Sequence, residues 1–165
     1  MIETFDTLWH QARGAFRDER CWSRARTLAL SALACLGRRT ISGMLCTSGQ
    51  QFTDWSAAYR LFRRGRFDAE KLFAPVRREL LSNLAPGAPV VAHLDDTRKA
   101  KRGRKVSGTS WHRDPLGPRF RTNFIWAQRF LQTSLALPEG QGACRARAIP
   151  VDLRHCPCEP KPRKS

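Results

Sequence analysis

No stretch of this chain is long and apolar enough to span a bilayer. The longest candidate, Leu28 to Leu36 beside Arg24 and Arg26, fits a buried helix instead. A cationic leader is also missing, because Glu3 and Asp6 stand where its positive end would be, so a cytoplasmic protein is expected. The cysteines at 21, 35, 46, 144, 156 and 158 form no evenly spaced framework, which points to reduced thiols rather than a disulfide scaffold. Structural zinc is unsupported too: His155-Cys156-Pro157-Cys158 has no paired second half, and Cys144 is distant. Internal repeats are absent, and no glycine-aromatic RNA motif is present. Acidic residues are the scarcest relative to need: 14 Asp and Glu face 30 Lys and Arg in 165 residues, a formal net charge of +16. A field of that sign draws a polyanion, nucleic acid first, with an anionic membrane surface or a merely solubilising arginine excess as the alternatives.

At 41% hydrophobic residues, the chain can form a modest core. Residues 1–84 read as helical. Phe5, Leu8, Trp9, Ala12 and Phe16 recur at helical spacing, and the run from Leu28 is expected to continue to a stop at Gly37. Thr40 can cap a short helix, Ser48-Gly49 breaks it, and Thr53 or Asp54 can cap a second helix whose Trp55, Ala58, Tyr59 and Phe62 share a face. Two short helices around a glycine turn suggest a helix-turn-helix. Arg60, Arg63 and Arg64 point away from that aromatic face, with Arg66 just beyond Gly65; phosphate contact is the functional reading and a solvated surface the plain one. Asp68 starts another helix, which Pro75 should kink or restart.

Ala85-Pro86-Gly87-Ala88-Pro89 is the expected linker, residues 85–89. Beyond it, residues 90–153 carry strand patterns: a central strand Val90 to Asp95, a second over Lys105 to Trp111, a third over Thr122 to Leu137, and one more over Ala146 to Leu153. Residues 154–165 form a proline-rich, cationic tail without core residues, expected to be disordered. Trp111 and Trp126 could stack on bases but are assigned to packing, since aromatics at strand spacing usually fill a core. His112 is assigned to packing or hydrogen bonding and Asp114, before a proline, to a turn, rather than to a metal.

The most informative stretch is His93-Leu94-Asp95-Asp96-Thr97, which leads into Arg98-Lys99-Ala100-Lys101-Arg102-Gly103-Arg104-Lys105. Two carboxylates at a strand end beside a cluster of cations suit a divalent metal held next to a phosphodiester. They also fit a charged turn. Taken with Gly108-Thr109-Ser110-Trp111-His112-Arg113-Asp114-Pro115-Leu116-Gly117-Pro118 and Asn123-Phe124, the Leu94-Asp95-Asp96-Thr97 and Lys101-Arg102-Gly103-Arg104-Lys105 blocks resemble the DDE transposases of bacterial insertion sequences, from about Arg38 to about Pro150.

That resemblance implies an α+β chain: a helix-turn-helix-like domain followed by the first strands of an incomplete ribonuclease-H-like mixed sheet. It implies a two-metal reaction in which magnesium ions flank the scissile phosphate while DNA is cut and joined at element ends. It carries the first catalytic and metal-binding carboxylate onto Asp96, with Asp95 the neighbouring alternative because strand alternation sends the two to opposite faces. Arg98, Lys99, Lys101, Arg102, Arg104 and Lys105, expected in a hairpin between the first two strands, are implied phosphate contacts. The family's second Asp and its Glu lie well downstream, and no counterpart occurs before Ser165. The expectation is therefore a truncated, inactive transposase that binds magnesium feebly if at all. It would be bacterial and nucleoid-associated, pairing with itself or with intact transposase. The alternatives are a non-catalytic DNA-binding protein that interferes with the intact enzyme and a general RNA binder. Half a sheet also leaves an exposed edge open to aggregation.

Overall fold

The computed structural model describes residues 2–103, 105–118, 120–138 and 146–158. Expectations resting on Arg104, Cys144 and tail residues 159–165 fall outside the described residues. The chain forms two compact units, Met1–Glu79 and Leu80–Ser165.

The first unit contains α1 (Ile2–Gln11), a short 3-10 turn (Arg13–Ala15), α2 (Glu19–Ala34), α3 (Ile41–Thr47) and α4 (Ser56–Arg63), and most of α5 (Ala69–Ser82). Side-chain caps start α2, α3 and α5. The Asp18 carboxylate accepts from the Cys21 N–H at 2.8 Å, and Thr40 Oγ1 accepts from the Gly43 N–H at 3.0 Å. Asp68 accepts from the N–H groups of Glu70 and Lys71 at the entry to α5. Helix α2 stops at Ala34, with Cys35 already extended, so it ends short of the expected stop at Gly37 and leaves Leu36 fully exposed. Pro75 does not restart α5: it lies fully buried inside one continuous helix.

The core gathers Phe16, Cys21, Leu28, Met44, Leu45 and Leu61. Its aromatic flank is a chain of ring contacts, with Trp9 5.5 Å from Phe16 and Phe16 6.2 Å from Phe67. The Trp22 indole N–H donates to the Trp9 carbonyl at 3.1 Å. On α4 the inward residues are Ala58 and Leu61, while Tyr59 and Phe62 are nearly half exposed. The helix is thus rotated from the expected aromatic face, because small Ala58 lets it approach closely and Leu61 then fills the gap.

In the second unit β1 (Ala92–Ala100), β2 (Thr109–Arg113), β3 (Phe124–Pro138) and β4 (Ala146–His155) form one sheet. The α+β class is as expected, and each described pairing is antiparallel. Fifteen-residue β3 is the central strand. It pairs along one edge with β1 over Ala92–Ala100 and along the other with β2 and then β4, which share that edge end to end. The apolar run before the aspartates therefore does not form the central strand: Val90 and Val91 precede β1 and are exposed, and among the described residues β1's outer edge pairs with no strand. The second strand begins at Thr109 rather than Lys105, after Gly108 turns at φ +69°. β4 continues through Arg154 and His155, where the tail was expected to begin.

Candidate nucleic-acid interface and acidic site

Two residues that the sequence places at a strand's end lie in its middle. β1 runs straight through Asp95 and Asp96 to Ala100, because Lys99 and Ala100 still find partners in the long β3 strand, at Gln128 and Ala127. Arg98 and Lys99 are consequently strand residues, not loop residues. Among the described residues β1 and β2 each pair with β3 and not with one another, so they do not form the expected hairpin. Lys101, Arg102 and Lys105 follow in the connection, with Arg102 and Lys105 exposed and Lys101 half-buried.

Register decides which carboxylate has company. Asp96 stands opposite Leu131 and Arg98 opposite Arg129, and residues directly opposite share a face, so Asp96, Arg98 and Arg129 project together. Arg98 reaches Asp96 Oδ2 at 3.2 Å, and Arg129 Nε donates to Asp96 Oδ1 at 3.0 Å. Both carboxylate oxygens are thereby engaged. The Arg129 hydrogen bond holds the Asp96 carboxyl below the usual carboxylate range. Partial burial opposes that shift, and the charges of Arg98, Arg129 and His112 reinforce it. Asp96 is an anion at neutral pH, and the same contact raises the Arg129 guanidinium above its ordinary value. Arg98 Nε is buried without a partner among the described residues, so this guanidinium is not satisfied by Asp96 alone.

Asp95, on the opposite face, is exposed and accepts from the Thr97 hydroxyl at 2.7 Å. His112 lies on the Asp96 face of β2 and hydrogen-bonds Ser110 Oγ at 2.8 Å. Asp114 closes a turn by accepting from the Leu116 N–H at 3.0 Å. Among the described residues no group of three acidic, histidine or cysteine side chains converges. With both Asp96 oxygens held by guanidinium groups, the residues described here do not form a magnesium site by themselves.

Arg129 is the participant that sequence reading missed. It is the one charged residue of β3, and only the cross-strand register reveals that it faces Asp96. Trp111 is a second correction: it is not packed in a core but 65% exposed.

In the helical unit Arg60 and Arg63 lie on α4, with Arg64 at its C-terminal end; all three are exposed, and Arg66 is half-buried. Asp54, Tyr59, Arg60, Arg63 and Arg64 border a recess of about 690 Å³. No described helix is long and apolar enough to cross a membrane.

Over residues 13–157 the sequence matches the family model described as DDE superfamily endonuclease. No curated protein and no solved structure matches the chain.

Proposed function

Because the chain belongs to the DDE superfamily endonucleases, we propose that it is part of a transposase that acts on the DNA ends of an insertion sequence, with Asp96 as the first carboxylate of the family's cleavage and strand-transfer site. The supporting observation is the Asp96 cluster. Within the matched span, one aspartate is held ionised between two guanidinium groups on a sheet face, and Lys99, Lys101 and Arg102 follow a few residues along the chain, with Lys99 on the opposite face. Cations that neutralise a carboxylate can equally neutralise phosphate. An incoming metal or phosphate would compete for the same groups, with Asp96 exchanging Arg98 and Arg129 for a cation while the arginines take the DNA backbone. Residues 1–84 act as the DNA-recognition domain, in which α3 and α4 form a helix-turn-helix that presents Arg60, Arg63, Arg64 and Arg66 to phosphates. Residues 85–89 link it to the partial catalytic domain.

A second reading is a DNA-binding protein without catalysis that competes with intact transposase. It is favoured by the full occupation of Asp96 and by the absence of a converging acidic group among the described residues. Both readings require preference for element ends. Duplex carrying the terminal inverted repeat should stay bound at a salt concentration that releases random duplex of equal length, as measured by competition gel shift. Equal release of the two would refute sequence recognition and leave only a general polyanion binder. Manganese-dependent nicking that Asp96→Ala abolishes would overturn the second reading; none is expected, because Asp96 has no converging acidic partners among the described residues.

A further inference from the structure

Trp111 is a large apolar side chain on an outward face, and its surroundings are not those of a core residue. It stands directly opposite Trp126 across the β2–β3 pair, with ring centroids 5.5 Å apart and planes at 62°. Trp126 is the fixed partner. Its indole N–H donates to the Gly103 carbonyl at 3.1 Å, and its backbone carbonyl accepts from the Lys101 N–H at 2.8 Å. The same residue therefore buttresses the Trp111 ring edge to face and ties down the backbone that carries Lys101 and Arg102. Lys101, Arg102, Trp111 and Trp126 together border a recess of about 440 Å³, within the range of small-ligand sites. Two indoles and two cations line it, with no carboxylate among them.

We propose that this recess takes an unpaired nucleotide of DNA, its base stacked on Trp111 and its phosphate on Lys101 and Arg102. The inference rests on the reading of the chain as a DNA-acting protein and adds that it engages single-stranded as well as duplex DNA. Bases inside a duplex are covered above and below by their neighbours, so only an unstacked base offers a face to an indole. Aromatic platforms flanked by cations bind single strands in this way, largely without regard to sequence. The two cations set the occupant's charge, and the rigid Trp126 contact lets Trp111 bind without a large ordering cost. A purely apolar ligand would leave Lys101 and Arg102 unused.

The test uses the full chain, an oligothymidine single strand and a mixed-sequence duplex of equal length, with binding read by anisotropy and quenching of tryptophan fluorescence. Trp111→Ala should weaken single-strand binding by about tenfold or more, with duplex affinity changed less than twofold. Trp111→Phe, which keeps a stacking ring, should retain most of the single-strand affinity. The stacking assignment is overturned if Trp111→Ala binds the single strand as wild type does, or if it loses both substrates equally. It is also overturned if oligouridine RNA is bound more tightly than its DNA counterpart and is lost with Trp111, because the ligand would then be RNA. If the wild type binds duplex but not single strand, the recess alone is misassigned. If it binds neither, the DNA reading fails with it.

Discussion

Duplex DNA should be released steeply by salt, its affinity falling by about a thousandfold between about 50 and 200 mM monovalent salt. The magnitude follows from the cations that the structure leaves in solvent. Arg60, Arg63, Arg64, Lys99, Arg102 and Lys105 are exposed, and six phosphate contacts give a slope of log affinity on log salt near −5. Arg66, Arg98 and Lys101 are half-buried and would steepen the slope only by rearranging. A salt titration of duplex binding measures this slope directly. A slope near −1 would mean that the +16 charge solubilises the chain without gripping a nucleic acid.

The helical unit should depend on one side chain almost as strongly. Leu61 is 1% exposed on α4, within the cluster formed by Leu28, Met44 and Leu45. Leu61→Ala removes apolar contact and leaves a cavity that this small core cannot fully close, at a cost of about 2–5 kcal/mol. A unit ending at Glu79 has a total stability of about 4–12 kcal/mol at ordinary values per residue. Thermal melting followed by circular dichroism should show the helical transition lowered by about 10 °C or more. Substitution at neighbouring Tyr59, half exposed on the recess side of α4, should shift it far less.

The sequence showed where chemistry-bearing residues lie more clearly than how they meet. Capping residues are local signals, so Thr40 and Asp68 mark helix starts in the structure as they do in the sequence. The family blocks are local as well, which is why Asp96 and the cations after it could be singled out before any fold was known. Register is not local. Arg129 and Asp96 are 33 residues apart, and no pattern within β3 marks that arginine as a partner. The same reason explains the misplaced centre of the sheet: Val90 and Val91 have the composition of a central strand, yet β3's length lets it pair along both edges and pushes β1 to the outside. By residue type Trp111 reads as a core residue, but β2 is short and Trp111 faces outward beside Trp126, where little covers it.

Taking Arg98 and Arg129 away from Asp96 tests the central claim, that this carboxylate and its guanidiniums form one phosphate-competing cluster. Asp96→Asn removes the negative charge with little change of shape and frees both arginines for DNA. In metal-free buffer the variant should bind duplex severalfold more tightly than wild type, with its salt slope steeper by about 0.9 for each phosphate gained. Unchanged affinity and slope, in a variant whose circular dichroism matches wild type, would place Asp96 away from the DNA path and contradict its assignment as the family's first carboxylate.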